Sequence, residues 1–302
     1  MSNQHIGEIN FSSQGSMLSA HFRAMANPCS IYFERGDCSD DSFNKIAKTI
    51  AEEAWRIEQK YSRYLDNSIV TKINNSQGQI VKIDPETFNL LKLADTLWQE
   101  SDGKFDISSG VLRTLWNFNN QSSVPAEKII QELLRHIGWH KISFDQDKIV
   151  LPKGMQIDFG GIGKEYATDR CAEIGAQLTP KRLLVNLGGD IAVRGDEKNQ
   201  QPWQVSIESK KGNGKIWKTF NISSGAIATS GDVYKSFVLN GKRYGHIINA
   251  ATGYPIENPP RTVTVAAPNC TEAGILTTLA ILQGDKAKEF LEQNERPYWL
   301  QF

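Results

Sequence analysis

The sequence predicts an α+β protein, with mixed, largely antiparallel sheets and helices packed against them. Two patterns carry that expectation. Apolar residues recur every three or four positions between Asn44 and Ile137 and again beyond Thr271, whereas short β-branched and aromatic runs separated by turn residues fill Arg182 to Ala267. No regular strand-helix alternation joins these regions, which disfavours a doubly wound parallel sheet.

Taken in order, the chain opens with a polar stretch, and residues 1–19 are expected to form a flexible segment ahead of one domain over 20–302. The length of that domain leaves room for two lobes. Ile46, Ile50, Ala54, Ile57 and Tyr61 form one stripe of a helix over Asn44–Tyr64. Phe88, Leu91, Ala94 and Leu97 mark a second over Glu86–Ser101, with Gly103 placed to end it, and a third spans Ala126–Ile137. Ile142, Phe144, Ile149 and Leu151 alternate around Asp145-Gln146-Asp147 and read as a hairpin. Strands are expected at Arg182–Leu187, Trp203–Glu208, Trp217–Ser223 and Thr262–Ala267, and over Ser236–Ile248 with Asn240-Gly241 as a two-residue turn. A helical region from Thr271 to Asn294, interrupted at Gly284, closes the pattern.

Composition narrows the function classes. Lys plus Arg and Asp plus Glu each total 34, so no basic surplus points to nucleic acid or an anionic membrane. No stretch approaches the roughly 20 apolar residues that span a bilayer. Met1 to Gly15 lacks a signal-like apolar core, which favours the cytoplasm, or the periplasm if a leader has been removed. Cys29, Cys38, Cys171 and Cys270 form no CxxC pair, so neither structural zinc nor a redox dithiol is signalled.

Four small-residue clusters are candidates for chemistry. Asp158-Phe159-Gly160-Gly161-Ile162-Gly163-Lys164 opens a helix over Tyr166–Leu178. Its glycines, helix N-terminus and Lys164 suit a pyrophosphate, or else form a tight strand-to-helix turn with an exposed lysine. Asn186-Leu187-Gly188-Gly189-Asp190 reads equally as a hairpin turn. Ser223 to Asp232 offers hydroxyls for a ribityl or phosphate group, or is an ordinary loop. His246, followed by Asn249, Gly253 and Pro255, is placed as a general base, against the alternative of an ordinary structural histidine.

From Ala20 to Asn294, about nine tenths of the chain, these motifs and others resemble the FAD:protein FMN transferases of the ApbE family. The resemblance rests on Tyr61-Ser62-Arg63-Tyr64, Gly103-Lys104-Phe105-Asp106-Ile107-Ser108, Leu115-Trp116-Asn117-Phe118, and Asp158 to Lys164 with Tyr166-Ala167 and Asp169. It continues through Asn186 to Asp190, Ala226 to Asp232 and His246 to Pro255. It implies an ApbE-like fold and an enzyme that splits FAD, releases AMP and leaves FMN on a Thr or Ser of a partner flavoprotein, using Mg²⁺. The alternatives it leaves are an FAD-binding protein of the same fold and an FAD pyrophosphatase. By the same resemblance, flavin and adenosine contacts fall on Met25, Tyr64, Lys104, Phe105, Asp106, Asp158, Lys164 and Ile248, while His246 and Lys164 are catalytic.

The implied metal site falls on Gly161, Gly274 and Thr278, and here the chain departs from the family. Gly274 stands where the family has its metal-binding Asp, and Glu272, about 200° away around a helix, is a poor substitute. Glu165 follows Lys164 in place of the usual Gly, Asn249-Ala250 replaces Asp-Pro, and Met25-Ala26-Asn27 replaces Met-Gly-Thr. On this logic Gly274→Asp is expected to strengthen Mg²⁺ binding.

Overall fold

The computed structural model describes residues 7–36, 38–116, 118, 123–179, 182–195 and 201–302. Asn117 of the tryptophan motif lies outside them. The described residues include a meander of β1 (Asn10–Gln14), β2 (Met17–Ala24) and β3 (Asn27–Glu34), so residues 10–14 and 17–19 are strand where a flexible lead-in was expected. Leu18, Ala20, Phe22 and Ala24 are buried and alternate with more exposed neighbours, a period of two interrupted by too many polar residues to stand out in the sequence.

Helix α1 (Asp40–Tyr61) starts earlier than its apolar stripe, because Ser39 caps it through a bond from Ser42 N and Asp40 and Asp41 fill the first turn. A short α2 (Ile69–Asn74), β4 (Ile80–Lys82) and α3 (Pro85–Glu100) follow. Asp84 caps α3 by accepting from Thr87 N, with Pro85 in the first turn. Next come α4 (Glu127–Leu134) and the expected hairpin of β5 (Ser143–Phe144) and β6 (Lys148–Val150), to which β4 adds.

Helix α5 (Gly163–Leu178) leads into β7 (Leu183–Leu187) and β8 (Asp190–Arg194). Leu187 pairs with Asp190, so Gly188 and Gly189, with φ of 63° and 97°, are a two-residue turn. A second hairpin, β9 (Trp203–Glu208) and β10 (Ile216–Ile222), precedes β11 (Gly225–Gly231). The stretch from Ser223 to Asp232 is therefore chiefly a strand inside the main sheet rather than a ligand loop. Its small residues fit where β11 is flanked on both edges.

The hairpin of β12 (Ser236–Leu239) and β13 (Lys242–Gly245) turns at Asn240-Gly241, as the sequence predicts. β14 (Thr262–Ala267), α6 (Cys270–Leu282), α7 (Ala287–Gln293) and β15 (Tyr298–Gln301) complete the chain.

The main sheet takes the order β1-β2-β3-β7-β8-β11-β14-β15, antiparallel throughout. Val185, Ala192, Ala226 and Ala228 share a core with α1 and α5 on one face. Leu184, Val193 and Ile227 point the other way, onto Trp203, Val205 and Ile222 of the β9–β10 hairpin. The sheet is thus buried on both faces, and full burial of a side chain such as Ile31 or Ile50 contributes roughly 2 kcal/mol. A separate cluster of Val111, Leu112, Trp116, Phe118, Ile130 and Ala250 supports the histidine loop. No helix among the described residues is long and apolar enough to cross a membrane.

Candidate functional site

His246 follows β13, which holds its ring edge-on to Phe118, 6.4 Å between centroids. Its Nδ1 is buried with no hydrogen-bond partner among the described residues. Burial, with Arg113 and Lys235 nearby, lowers its pKa to about 4. The imidazole is neutral at physiological pH and keeps a free lone pair. Trp116 Nε1 donates to the Gly253 carbonyl at 2.9 Å, and Asn249 N donates to Tyr254 O at 2.8 Å, so the following loop is fixed by its own turn and by the aromatic cluster. Ile248 joins that cluster and bridges to Pro255.

Two cations, Arg113 and Lys235, lie near the imidazole. Burial, Arg113 and Lys164 all push the Lys235 ammonium down. Lys164, in the first turn of α5, forms an ion pair with Asp190, the residue after the Gly188-Gly189 turn. Burial alone would lower the Lys164 pKa, but Asp190 and Glu165 hold it above its ordinary value. Asn27 packs against Gly188, where a Cβ would come within 2.6 Å of the Asn27 Cβ, so the β2–β3 turn sits on the β7–β8 turn. Met25 and Ala26 make that first turn with φ of 51° and 60°, a conformation non-glycine residues adopt only at a cost.

The aspartate-glycine segment is ordered from within. Asp158 Oδ1 accepts from Gly160 N at 2.8 Å, and Arg63 Nη1 lies 3.4 Å from Asp158 Oδ2. The same guanidinium donates to Gly110 O at 2.7 Å and Gln156 Oε1 at 2.8 Å, which ties three segments together. Tyr64, 80% exposed, projects beside it with the Arg63 guanidinium 5.8 Å from its ring centroid. Phe105 is buried against Gly161, where a Cβ would approach its ring to 2.9 Å. Asp106 is also buried and accepts from Ser108 N at 2.7 Å and Trp139 N at 3.0 Å. Those bonds use both of its oxygens to hold the chain. Lys104 is exposed and donates to Gln283 Oε1 at 2.6 Å, beyond the end of α6.

At the expected metal corner, α5 and α6 pack together, and Asp169 fixes their register. Its Oδ1 accepts from Cys270 N at 2.7 Å, and its Oδ2 accepts from Thr271 N and Oγ1, both at 2.7 Å. One turn earlier on α5, Glu165 lies over Gly274, one turn later on α6. A Cβ on Gly274 would meet Glu165 Cγ at 2.2 Å. Glu165 is 6% exposed and its Oε2 has no hydrogen-bond partner among the described residues. Burial and Asp190 together raise its pKa. Thr277 Oγ1 donates to Gly274 O at 2.8 Å and bonds Ser230 at 2.8 Å, whereas Thr278 is half-buried. No group of three His, Cys, Asp or Glu among the described residues could hold a metal. A site of one carboxylate completed by hydroxyl, carbonyl, water and substrate phosphate still suits Mg²⁺, which rarely uses an all-protein cage. The unpartnered Glu165 oxygen fits such a cation.

Lys164 therefore links two halves, one built from Glu165, Gly274 and Asp190, the other from Lys235, Arg113 and His246. Sequence reasoning gave no role to Arg63, Arg113, Asp190 or Lys235. Arg113 and Lys235 carry no local signal, since their meaning comes only from convergence across the fold.

The chain is an α+β protein in which one eight-stranded antiparallel sheet lies between helices and a β-hairpin. The ApbE family model matches residues 25–299. A Haemophilus influenzae protein named FAD:protein FMN transferase is 30% identical over 257 residues, covering 81% of this chain and 74% of its own. Its namesake from Escherichia coli K12 is 29% identical over 248 residues, covering 78% and 70%. The crystal structure of the ApbE protein from Thermotoga maritima matches with a TM-score of 0.82 at 29% identity, over 97% of this chain and 94% of that one. The apo flavinyl transferase ApbE of Pseudomonas stutzeri, at 22% identity, shares the fold with a TM-score of 0.81, over 99% of this chain and 92% of its own. The chain belongs to the ApbE family.

Proposed function

We propose that this protein is an FAD:protein FMN transferase, which moves the FMN half of FAD onto a Thr or Ser hydroxyl of a partner flavoprotein and releases AMP. The observation that carries the reading is the neutral His246 with its free, buried Nδ1 in reach of Arg113 and Lys235. The acceptor hydroxyl oxygen attacks the FMN-side phosphorus, the bond from that phosphorus to the bridging oxygen breaks, and AMP leaves with that oxygen. His246 Nδ1 takes the hydroxyl proton. Lys164, Lys235 and Arg113 face the charge that develops on the phosphoryl oxygens, and the rigid turns hold the ligand in line.

In this reading Tyr64 and Phe105 flank the flavin, Met25, Lys104 and Ile248 line its surroundings, and Asp106 and Asp158 shape the segments that carry them. Residues 20–302 act as one unit. Mg²⁺ adds positive charge at the phosphoryl oxygens when bound. The Thr278 hydroxyl and Gly161 carbonyl are its candidate neutral ligands, and Gly274 supplies no side chain.

The test incubates purified protein with FAD, Mg²⁺ and a flavoprotein acceptor, and follows AMP together with covalent flavin fluorescence on a denaturing gel. Both are expected. AMP without covalent flavin would make the chain a pyrophosphatase, and neither product would leave it an FAD-binding relative.

A further inference from the structure

We propose that Glu165 supplies the anionic oxygen for a divalent cation held between α5 and α6, replacing from the opposite helix the carboxylate that Gly274 lacks. The inference rests on the reading of this cleft as a Mg²⁺-using phosphoryl-transfer site. It names a ligand that neither the family pattern nor the motif order assigns.

The geometry is a steric exchange. An ideal Cβ at Gly274 lies 2.2 Å from Glu165 Cγ, 3.0 Å from its Cδ and 3.1 Å from its Oε1. Real Cβ contacts do not come that close to a neighbour, so a side chain at 274 and the present Glu165 side chain exclude one another. The Glu165 carboxyl occupies the space that a side chain at 274 would enter. Asp169, four residues along α5, caps α6 at Cys270, four residues before Gly274, so the two helices run antiparallel at this contact. That register brings residue 165 to residue 274.

The group so placed is incomplete. Glu165 is 6% exposed, and its Oε2 has no protein N–H or O–H donor among the described residues, the carboxyl facing the Asp190 carboxyl instead. A buried carboxylate oxygen in that state costs far more than an exposed one, and native proteins satisfy it with a partner. The adjacent cation, Lys164, is engaged by Asp190. Asp190 also lies against Glu165, adding a second negative charge to the same corner. Thr278 is one helical turn beyond Gly274, and Gly161 is four residues before Glu165, which brings a hydroxyl and a backbone carbonyl to the two helix segments involved. One carboxylate, neutral oxygens and substrate phosphates make a donor set for a hard cation.

The test measures Mn²⁺ binding to the full chain by the loss of the free-ion EPR signal, with and without saturating FAD. Three proteins are compared: the natural chain, Glu165→Gln, and the exchange Glu165→Gly with Gly274→Asp. The amide variant keeps size and hydrogen-bonding capacity, so it is expected to fold while losing Mn²⁺ affinity by about tenfold or more. The exchange is expected to bring affinity back to within a few-fold, and metal-free FAD binding should change little in either variant. Unchanged Mn²⁺ affinity in Glu165→Gln, no Mn²⁺ binding by the natural chain, or a folded exchange variant without recovery would each overturn the proposal. These readouts do not use turnover. Failure of the transferase reading appears separately, as absence of AMP and covalent flavin from a protein that still binds Mn²⁺ through Glu165.

Discussion

At His246, burial and two neighbouring cations act in the same direction. The unfolded chain titrates this group near 6.5 and the folded protein near 4, so between those values the unfolded state binds more protons. Its contribution to stability is therefore complete above pH 6.5 and lost as pH falls towards 4. The difference in denaturation free energy between the natural protein and His246→Asn should change across that window and level off on either side. Imidazole resonances followed by NMR should place the midpoint near 4 without FAD and higher with it, since phosphates next to Arg113 and Lys235 would remove the repulsion. For the reaction, His246→Asn is expected to slow AMP release by about 10²–10⁴-fold, the usual worth of a general base. Its FAD affinity, read by flavin fluorescence, should change by only a few-fold.

Among the elements, α6 depends on a residue outside itself. Asp169 of α5 takes three hydrogen bonds from the first turn of α6, in addition to the cap that Asn269 provides through Glu272 N. Removing the carboxylate in Asp169→Ala should cost roughly 2 kcal/mol, measured by urea unfolding. The β2–β3 turn makes the opposite expectation, because Ala26 at φ 60° pays for a conformation that glycine adopts freely. Ala26→Gly should stabilise the protein by about 1 kcal/mol in the same assay.

Much of this level was legible in the sequence. The stripes of α1 and α3, the Asn240-Gly241 hairpin and the break at Gly284 all follow from spacing and turn chemistry. Strands β8 and β11 escaped notice because pairing on both edges, rather than their own composition, makes them strands. The site divides along the same line. Motifs that need glycine or a local turn could be read, whereas Arg113, Lys235 and the contact of Glu165 with Gly274 depend on chain segments far apart in sequence. That contact also revises the expectation for Gly274→Asp, which alone drives a side chain into Glu165. It should destabilise rather than tighten metal binding.

For the whole molecule, chain segments far apart in sequence bring Lys235 near Arg113 and Lys164. Desolvation, Arg113 and Lys164 depress the Lys235 ammonium, and because Lys164 is already paired with Asp190, a bound anion would chiefly relieve Lys235 and Arg113. Lys235→Met should change the stability of the FAD-free protein only slightly, because solvent screens this exposed side chain. It should also reduce the thermal shift produced by FAD, which follows RT ln(1 + [L]/Kd) and reaches about 2.7 kcal/mol at a hundredfold excess over Kd. Differential scanning fluorimetry across an FAD titration of both proteins checks the two effects.

The overlap of residues 165 and 274 also bears on descent. With 2.2 Å between the Glu165 Cγ and a Cβ at Gly274, a chain that keeps Glu165 and gains an aspartate at position 274 is sterically penalised, whereas one with glycine at both positions is merely short of a carboxylate. An ancestor with the usual Gly-Asp arrangement would reach the present Glu-Gly one more easily through the doubly empty form. The two positions are thus epistatic. A comparison that scores each position alone would record a missing carboxylate at 274 and an added acid at 165, and under the proposed exchange only the two positions taken together keep a carboxylate at this corner.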